Sequence, residues 1–241
     1  MSIRIGTSGW HYPHWVGAFY PAELGSKDWL HYYARHFRCV EINSTFYRLP
    51  AMDSIERWLA QTPEDFSFTL KASRYITHMK KLRDCATALS EFLSLARHFG
   101  DRLAAILLQL PPHWHANHGR LADFLRLLPD DLRFAMEFRD PSWHVGDTYR
   151  LLREYGVGFC QFELGGFHSP PVVTAELVYL RLHGPGEAYA GSYDEDALKR
   201  LADSLTAWDG EGHDVHVFFD NDRGACSVNN AFVLQQLVKK A

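Results

Sequence analysis

The sequence predicts an α/β protein whose single domain, residues 1–241, is a (β/α)8 barrel of the TIM type. Strand-like runs alternate with helix-like runs along the whole chain, eight strand-like runs can be counted, and no low-complexity linker divides the 241 residues. Eight such units in a chain of this size match a (β/α)8 barrel better than an open doubly wound sheet. The predicted strands are Ile3–Gly6, Cys39–Asn43, Phe66–Lys71, Leu103–Gln109, Arg133–Arg139, Val157–Gln161, Leu177–His183 and Val215–Asp220.

Start and end signals support helices between these strands. Asp53-Ser-Ile-Glu56 has the spacing of an N-cap aspartate with a glutamate three residues later. Asp194 precedes apolar residues at helical spacing, namely Leu198, Leu201, Ala202 and Leu205. The last predicted helix, roughly 227–240, ends in two lysines, which suit the negative end of a helix dipole.

One connection departs from the helical pattern. The segment Leu164–Glu176, LGGFHSPPVVTAE, carries two glycines and two prolines. These residues favour turns and interrupt helices. We therefore expect an irregular crossover between strands six and seven.

Composition narrows the possible functions. The net charge is -4 and 46% of the residues are hydrophobic, which predicts a globular protein with no overall attraction to polyanions, although a local basic patch for nucleic acid stays possible. The sequence shows neither a signal-peptide pattern nor an apolar run of membrane-spanning length, so we expect a soluble cytoplasmic protein with no membrane association. Four scattered cysteines predict reduced thiols, two of them inside strands, and the oligomeric state stays open.

Charged residues occupy one face of several predicted strands. In the fifth strand Phe134, Met136 and Phe138 alternate with Ala135, Glu137 and Arg139. In a barrel the large apolar side chains pack under the helices and the other face points inward. The same alternation predicts a polar group at the carboxyl-end mouth of the barrel, consisting of Glu41, Asn43, Lys71, Gln109, Glu137, Arg139, Arg181, His183 and the run Asp220-Asn221-Asp222.

Two interpretations of this polar group remain. The carboxylates of Glu41, Glu137 and Asp220 are matched in number by three cations, so they can pair without a metal. Burying charges costs several kcal/mol unless they are paired. The group is therefore either an active site or a structural network that fixes strand register, and we favour the active site.

Other motifs carry weaker signals. Gly6-Thr-Ser-Gly9 is either a tight turn or a contact for an anion, and HWHANH (113–118) is predicted to be a solvated loop. His78 follows the third strand and is expected to overhang the mouth beside Lys71. Aromatic residues either line a ligand pocket or cover the barrel, and they are Trp10, Tyr12, Trp15, Phe19, Tyr20, Phe46, Tyr47 and Trp143.

A set of motifs resembles one known family. IRIGTSGWHY, VEINSTFYRLP, ITH, LLQLPP, EFRDPSW, YLRLHG, YAGSY and FFDND followed by NNA occur in order from Ile3 to about Ala231. They are similar to the YecE-like family, also called domain of unknown function seventy-two. The resemblance implies a TIM-barrel fold but no reaction. Its signature polar positions fall on Glu41, Asn43, Lys71, Thr77, His78, Gln109, Glu137, Arg139, Arg181, His183, Asp220 and Asn221.

Two segments depart from the motifs of that family. Neither HWHANH nor the crossover 164–176 corresponds to a family motif. Any role for the histidines of these segments is therefore in doubt, and the site hypothesis rests on the strand ends.

Three functions are considered. The first is an enzyme that uses general acid/base chemistry on a small phosphate- or carboxylate-bearing substrate, by hydrolysis, isomerisation or elimination. The second is a divalent-metal enzyme like xylose-isomerase-type barrels, with Glu41, Glu137, His183 and Asp220 as ligands. The third is a non-catalytic binder of nucleic acid or of a nucleotide-like metabolite.

For the first function we assign roles to residues. The predicted catalytic residues are Glu137, Glu41, Lys71, His183 and Asp220. The predicted substrate-binding residues are Arg139, Arg181, Asn43, Gln109, His78, Asn221, Tyr47, Trp10 and Trp143. No metal ligand and no cofactor are firmly implied.

Overall fold

Eight parallel strands form a nearly closed barrel in the computed structural model, which describes residues 3–240. The strands are β1 Ile3–Thr7, β2 Cys39–Ile42, β3 Ser67–Lys71, β4 Leu103–Gln109, β5 Phe134–Glu137, β6 Gly158–Leu164, β7 Leu177–Leu182 and β8 Asp214–Phe219. From β2 to β8 each strand pairs with the next in sequence, and β8 pairs with β1 from Ile3 opposite Val215 to Thr7 opposite Phe219. The predicted TIM-type barrel is confirmed, and every predicted strand overlaps an observed one.

The barrel closes between β1 and β2 through few backbone contacts. Ser8 forms a bridge with Glu41, and the Gly9 N–H donates to the Glu41 carbonyl oxygen at 2.8 Å. At Gly6 a side chain is impossible without movement, because a Cβ would lie 2.4 Å from the Cys39 carbonyl oxygen. The sequence therefore supplies glycine where the two backbones approach most closely.

Helices cover the outside of the barrel. They are α1 Trp29–Ala34, α2 Ser44–Tyr47, α3 Met52–Ala60, α4 Ala86–Ala96, α5 His118–Leu125, α6 Gly146–Glu154, α7 Glu195–Gly210 and α8 Cys226–Val238. Asp194 caps α7 as predicted, its side chain accepting from the Ala197 N–H at 2.7 Å. The predicted N-cap at Asp53 is wrong: α3 already begins at Met52, and Asp53 lies in its first turn, where a carboxylate suits the helix dipole.

The crossover between β6 and β7 is irregular, as predicted. It contains the short strand Phe167–His168, which pairs antiparallel with the end of β6 and was not predicted. The Ser169 hydroxyl accepts from the Phe162 N–H at 2.8 Å and holds the segment against the sheet. Among the helices of residues 3–240, none is both long enough and apolar enough to cross a bilayer.

The inside of the barrel has three layers. The middle layer is apolar and buried, and it consists of Cys39, Ala105, Leu107, Ala135, Cys160, Leu177, Tyr179 and Phe218. At the amino ends of the strands Asp214 forms ion pairs with Arg4 and Arg133, and the His216 Nε2 lies 3.2 Å from an Asp214 oxygen. A second charged layer occupies the carboxyl ends, which is the mouth predicted from the alternation of side chains.

Candidate functional site

The guanidinium of Arg181 is the centre of the charged mouth. Arg181 lies on β7, is fully buried, and reaches both oxygens of Glu41, the nearest contact being 2.7 Å from Nη2 to Oε1. It also donates to Glu137 Oε2 and Asp220 Oδ2, each at 3.0 Å, and lies 3.3 Å from His183 Nε2. An arginine has five N–H donors, and all five face these groups. Within residues 3–240 every Arg181 donor is already engaged, so the geometry gives the predicted role of Arg181 as a substrate clamp no support, and that role stays a prediction.

Arg139 forms the upper part of the same network. Its Nε donates to Glu137 Oε1, and its Nη2 lies 2.9 Å from His183 Nε2. Nη1 makes no hydrogen bond within residues 3–240, and 8% of the side chain is exposed. Arg139 is thus the arginine of this network that has both a spare donor and contact with solvent.

Glu41 is fixed from three sides. Besides Arg181, it accepts from the Tyr179 hydroxyl at 2.6 Å and from the Ser8 hydroxyl at 2.6 Å. Tyr179 and Ser8 were not predicted as site residues, although Tyr179 lies two residues before Arg181 on the same inward face. The run that contains Ser8 is therefore a structural turn that supports the site.

The carboxylates of Glu137 and Asp220 are ionised. Burial alone would raise the pKa of Glu137, but the charges of Arg139 and Arg181 outweigh it and hold that pKa well below its ordinary range. Burial also opposes ionisation of Asp220, and the His183 ring and Arg181 hold its pKa below the usual value. A carboxylate with a depressed pKa is a weak base, so the predicted general acid/base role of Glu137 loses support.

His183 is buried and neutral. Burial and the Arg181 charge lower its pKa. Because two guanidinium groups face Nε2, this nitrogen acts as the acceptor and we assign the proton to Nδ1. Nδ1 lies 3.0 Å from Asp220 Oδ2 at an angle outside hydrogen-bond geometry. His183 therefore positions Arg139 and has no lone pair left for a substrate.

Lys71 differs from every other charged residue of the mouth. It lies at the carboxyl end of β3, partly exposed, and within residues 3–240 no carboxylate forms an ion pair with it. Its Nζ lies 4.6 Å from the centre of the Phe46 ring. Burial, followed by the Arg181 charge, lowers its pKa to about 8. The pairing without a metal that the sequence allows therefore involves the two arginines and not Lys71, since the arginines occupy all three acids.

His78 lies beside Lys71, as expected. It belongs to the π-helical turn Tyr75–Met79, and its ring meets the Phe46 ring edge-on at 4.9 Å between centres. Its Nδ1 lies 2.9 Å from the Thr77 hydroxyl. Burial and the charges of Lys71 and Arg74 lower the pKa of His78 to about 4, so the ring is neutral at physiological pH.

Gln109 and Asn43 lie partly buried at the edge of the mouth. Gln109 ends β4, between Lys71 on β3 and Arg139 beyond β5, and its amide makes one weak contact of 3.5 Å with the Leu110 carbonyl. Asn43 follows β2, and its side-chain oxygen is buried without a hydrogen-bond partner among residues 3–240. These amides are free to orient a ligand.

Four other residues predicted to bind the substrate lie away from this group, and two of them are buried. Trp143 is fully buried: it stacks on Phe138 and donates to the Trp114 carbonyl at 2.7 Å, so it belongs to the packing outside the barrel. Asn221 is buried and donates to the Gly191 carbonyl at 2.7 Å. The structure does not bring either side chain to the mouth, so their roles as substrate contacts gain no support and stay predictions.

Trp10 and Tyr47 occupy different surroundings. Trp10 lines a cavity of about 400 Å³ together with Asn43 and Tyr12, beside the seam between β1 and β2. Tyr47 is 71% exposed at the end of α2. Neither side chain touches the buried network. The substrate contacts expected of Trp10 and Tyr47 therefore stay predictions.

The site does not have the ligands that the metal hypothesis requires. Within the described chain, 3–240, no three His, Cys, Asp or Glu side chains group as a metal-binding set. The Arg181 guanidinium lies where Glu41, Glu137 and Asp220 converge, so a cation already occupies the position proposed for the metal. The donor set therefore fits an arginine and not a divalent ion.

Fold and site together define a TIM-barrel protein with an ion-paired mouth, where Lys71 has no acidic partner in the described part of the chain. A family model described as "Protein of unknown function DUF72" matches residues 4–241. The chain belongs to this family, as its motifs indicated.

Relatives of the chain are known in several bacteria. UPF0759 protein YecE of Escherichia coli K12 is 37% identical over 58% of this chain and 50% of its own length, so the alignment spans half of that relative. UPF0759 protein YunF of Bacillus subtilis is 26% identical over 98% of this chain and 94% of its own. The names of these proteins state no activity.

Solved structures support the fold. A DUF72 family protein from Thermotoga maritima has a TM-score of 0.88 at 28% identity, covering 98% of this chain and 99% of its own. One from Enterococcus faecalis has a TM-score of 0.81 at 20% identity, covering 98% and 95%. The second likeness concerns the fold alone.

Proposed function

We propose that the protein is an enzyme that acts on a small anionic substrate at the mouth of the barrel, with Lys71 as its reactive group. Arg139 holds the anionic group, and Gln109 orients the substrate from the strand between them. The buried residues Glu41, Glu137, Arg181, His183 and Asp220 form a rigid floor that positions Arg139.

The missing acidic partner of Lys71 carries this proposal. A partly buried ammonium costs free energy unless a counter-charge is near, and here the neighbouring acids are already used by arginines. A carboxylate or phosphate of the substrate would supply that counter-charge. The spare Nη1 of Arg139 offers the anion a second donor.

The proposal changes the roles first assigned to the acids. Glu41 and Glu137 are fully buried beneath the arginines and cannot touch a substrate. Lys71 keeps contact with solvent, and its pKa of about 8 leaves a fraction of neutral amine near neutral pH. It is therefore better suited to general-base or nucleophilic chemistry than either glutamate.

Anion binding tests the first part of the proposal. We use sulfate, whose charge is constant near neutral pH, and follow thermal unfolding of the wild type, Lys71→Met and Lys80→Met. A ligand at ten times its Kd adds about 1.4 kcal/mol, or roughly 3–6 °C for a chain of this size. We expect a saturable shift in the wild type and Lys80→Met and none in Lys71→Met. Equal shifts in all three would contradict the site.

Turnover tests the second part. The wild type and Lys71→Met are incubated with pooled small carboxylates and phosphate esters, and the mixtures are followed by mass spectrometry. We expect at least one compound to be consumed by the wild type alone. Compounds that vanish equally with both proteins would assign the activity to another site.

A binder of single-stranded nucleic acid is the second candidate. Tyr47, Tyr75 and Met79 are 71%, 43% and 64% exposed near the mouth, and Lys80 Nζ lies 5.7 Å from the Tyr75 ring centre. Exposed rings beside cations are the elements of base-stacking surfaces. This candidate requires salt-dependent binding of a single-stranded oligonucleotide that Tyr75→Ala weakens. No binding at low salt would remove it.

A further inference from the structure

We infer that Lys71 forms a Schiff base with the carbonyl carbon of a small oxo acid, that is, an aldehyde or ketone that also carries a carboxylate or phosphate. This inference deepens the proposed function and rests on it. It specifies both the substrate class and a covalent step at the same mouth.

The surroundings of Lys71 fit a nucleophilic amine. A lysine paired with a carboxylate is held in the protonated form, whereas Lys71 faces the Phe46 ring and has no such pair within residues 3–240. Burial and the nearby Arg181 charge both favour the neutral amine. Burial and a second cation close by are conditions that activate lysine in proteins, and here they outweigh the Phe46 ring face and the nearby acids, which favour the ammonium.

His78 completes the arrangement. Lys71 Nζ lies 4.6 Å and the His78 ring centre 4.9 Å from the centre of the Phe46 ring, so both groups contact the same aromatic side chain. One His78 nitrogen is engaged by Thr77, and the other has no hydrogen-bond partner in the described chain. A neutral imidazole with an open nitrogen is able to relay a proton between amine and oxygen.

The covalent step balances without a further reagent. The Nζ lone pair forms the C–N bond, the carbonyl π electrons move to oxygen, and the amine proton passes to that oxygen through His78 or water. The proton that the Lys71 ammonium gave to His78 or water before the attack converts the hydroxyl into a leaving water, and the C=N bond forms. The protonated imine keeps the positive charge of the lysine, so the charge balance with Glu137 and Asp220 is unchanged.

The anionic part of the substrate has a separate contact. Arg139 extends beyond β5 with Nη1 free, and Gln109 ends the strand between Arg139 and Lys71. An oxo acid bound across these residues places its charge on the arginine and its carbonyl toward the lysine. The iminium then withdraws electrons from the adjacent carbon, which promotes cleavage of a C–H or C–C bond there.

Reductive trapping tests this inference. The full chain is incubated with glyoxylate and sodium cyanoborohydride near pH 7.5, and adducts are located by peptide mass spectrometry. With a pKa of about 8 against 10.5 for an ordinary lysine, Lys71 holds roughly 200 times more neutral amine, and we expect it to be labelled at least about ten times faster than surface lysines. The product is one added carboxymethyl group on Lys71.

Two variants serve as controls. Lys71→Arg keeps the charge and removes the nucleophile, so the rapid adduct should vanish, while Lys199→Arg, a change at an exposed lysine of α7, should keep it. Circular dichroism and thermal unfolding show whether each variant is folded. Labelling of Lys71 no faster than that of surface lysines would overturn the inference.

The sulfate experiment separates the proposed anion site at Lys71 from the Schiff base inferred at the same residue. Sulfate binding that depends on Lys71, without rapid trapping, would leave an anion site whose lysine acts non-covalently, and the Schiff base would be wrong. If neither sulfate binding nor trapping depends on Lys71, the proposed function is wrong as well.

Discussion

Replacing Arg181 by methionine should destabilise the protein strongly, and more at neutral than at acidic pH. The change removes the cation shared by Glu41, Glu137 and Asp220 while leaving their carboxylates buried. Breaking a buried ion pair from one side costs about 3–5 kcal/mol. For a chain of this length that corresponds to a fall in Tm of roughly 6–20 °C.

The pH dependence follows from the direction of the pKa shifts. In the wild type the folded-state pKa values of Glu137 and Asp220 lie below their ordinary values, so these acids stabilise the fold above about pH 4, and the stabilisation is lost as the pH falls through the folded pKa. Without Arg181, burial is opposed less strongly and both folded-state pKa values rise, although Glu137 keeps its pair with Arg139. Relative to the wild type the variant therefore loses stability as the pH rises, so its deficit is largest near pH 7 and narrows toward pH 5.

Urea unfolding at pH 5 and pH 7 measures both effects. Arg126→Met is the control, because its pair with Asp123 is exposed and worth at most about 1 kcal/mol. Adding Glu41→Gln to Arg181→Met should recover part of the loss, since one buried charge is removed. A deficit in Arg181→Met that is the same at both pH values would refute the reasoning.

Three further predictions concern other parts of the molecule. Gly6→Ala should cost about 1–3 kcal/mol in thermal unfolding, because its Cβ would meet the Cys39 carbonyl oxygen at 2.4 Å, whereas Gly186→Ala, with open space around it, should be nearly neutral. Trp143→Ala should cost about 3–5 kcal/mol and leave sulfate binding unchanged, which titration of the folded variant would check. Sulfate affinity should fall as the pH rises through about 8, when the Lys71 ammonium loses its proton, and Lys71→Arg should bind equally from pH 7 to pH 9.

The fold could be predicted because its pattern is local. Alternation along each strand assigned Glu137 and Arg181 to the inside, and the structure has them there. Turn-forming glycines and prolines identified the irregular crossover at 164–176. Such signals depend on residues close together in the chain, so one sequence suffices to read them.

The pairing inside the site depends on geometry that the sequence does not carry. Three acids and three cations can combine in several ways, and only the stagger of the strands brings all three acids to Arg181 and leaves Lys71 out. The position of the Trp143 ring could not be predicted for a similar reason. It follows a strand end, but the turn after Asp140 directs its ring onto Phe138 outside the barrel.

The apolar middle layer of the barrel separates two groups of charges that never meet. Below it, Asp214 joins β8 to Arg4 of β1 and to Arg133 just before β5, tying together strands that are far apart in sequence. Above it, the charges surround the mouth. Within residues 3–240 no ion pair joins the lower group to the mouth, so the scaffold can be braced at one end while the other end is remodelled for new chemistry.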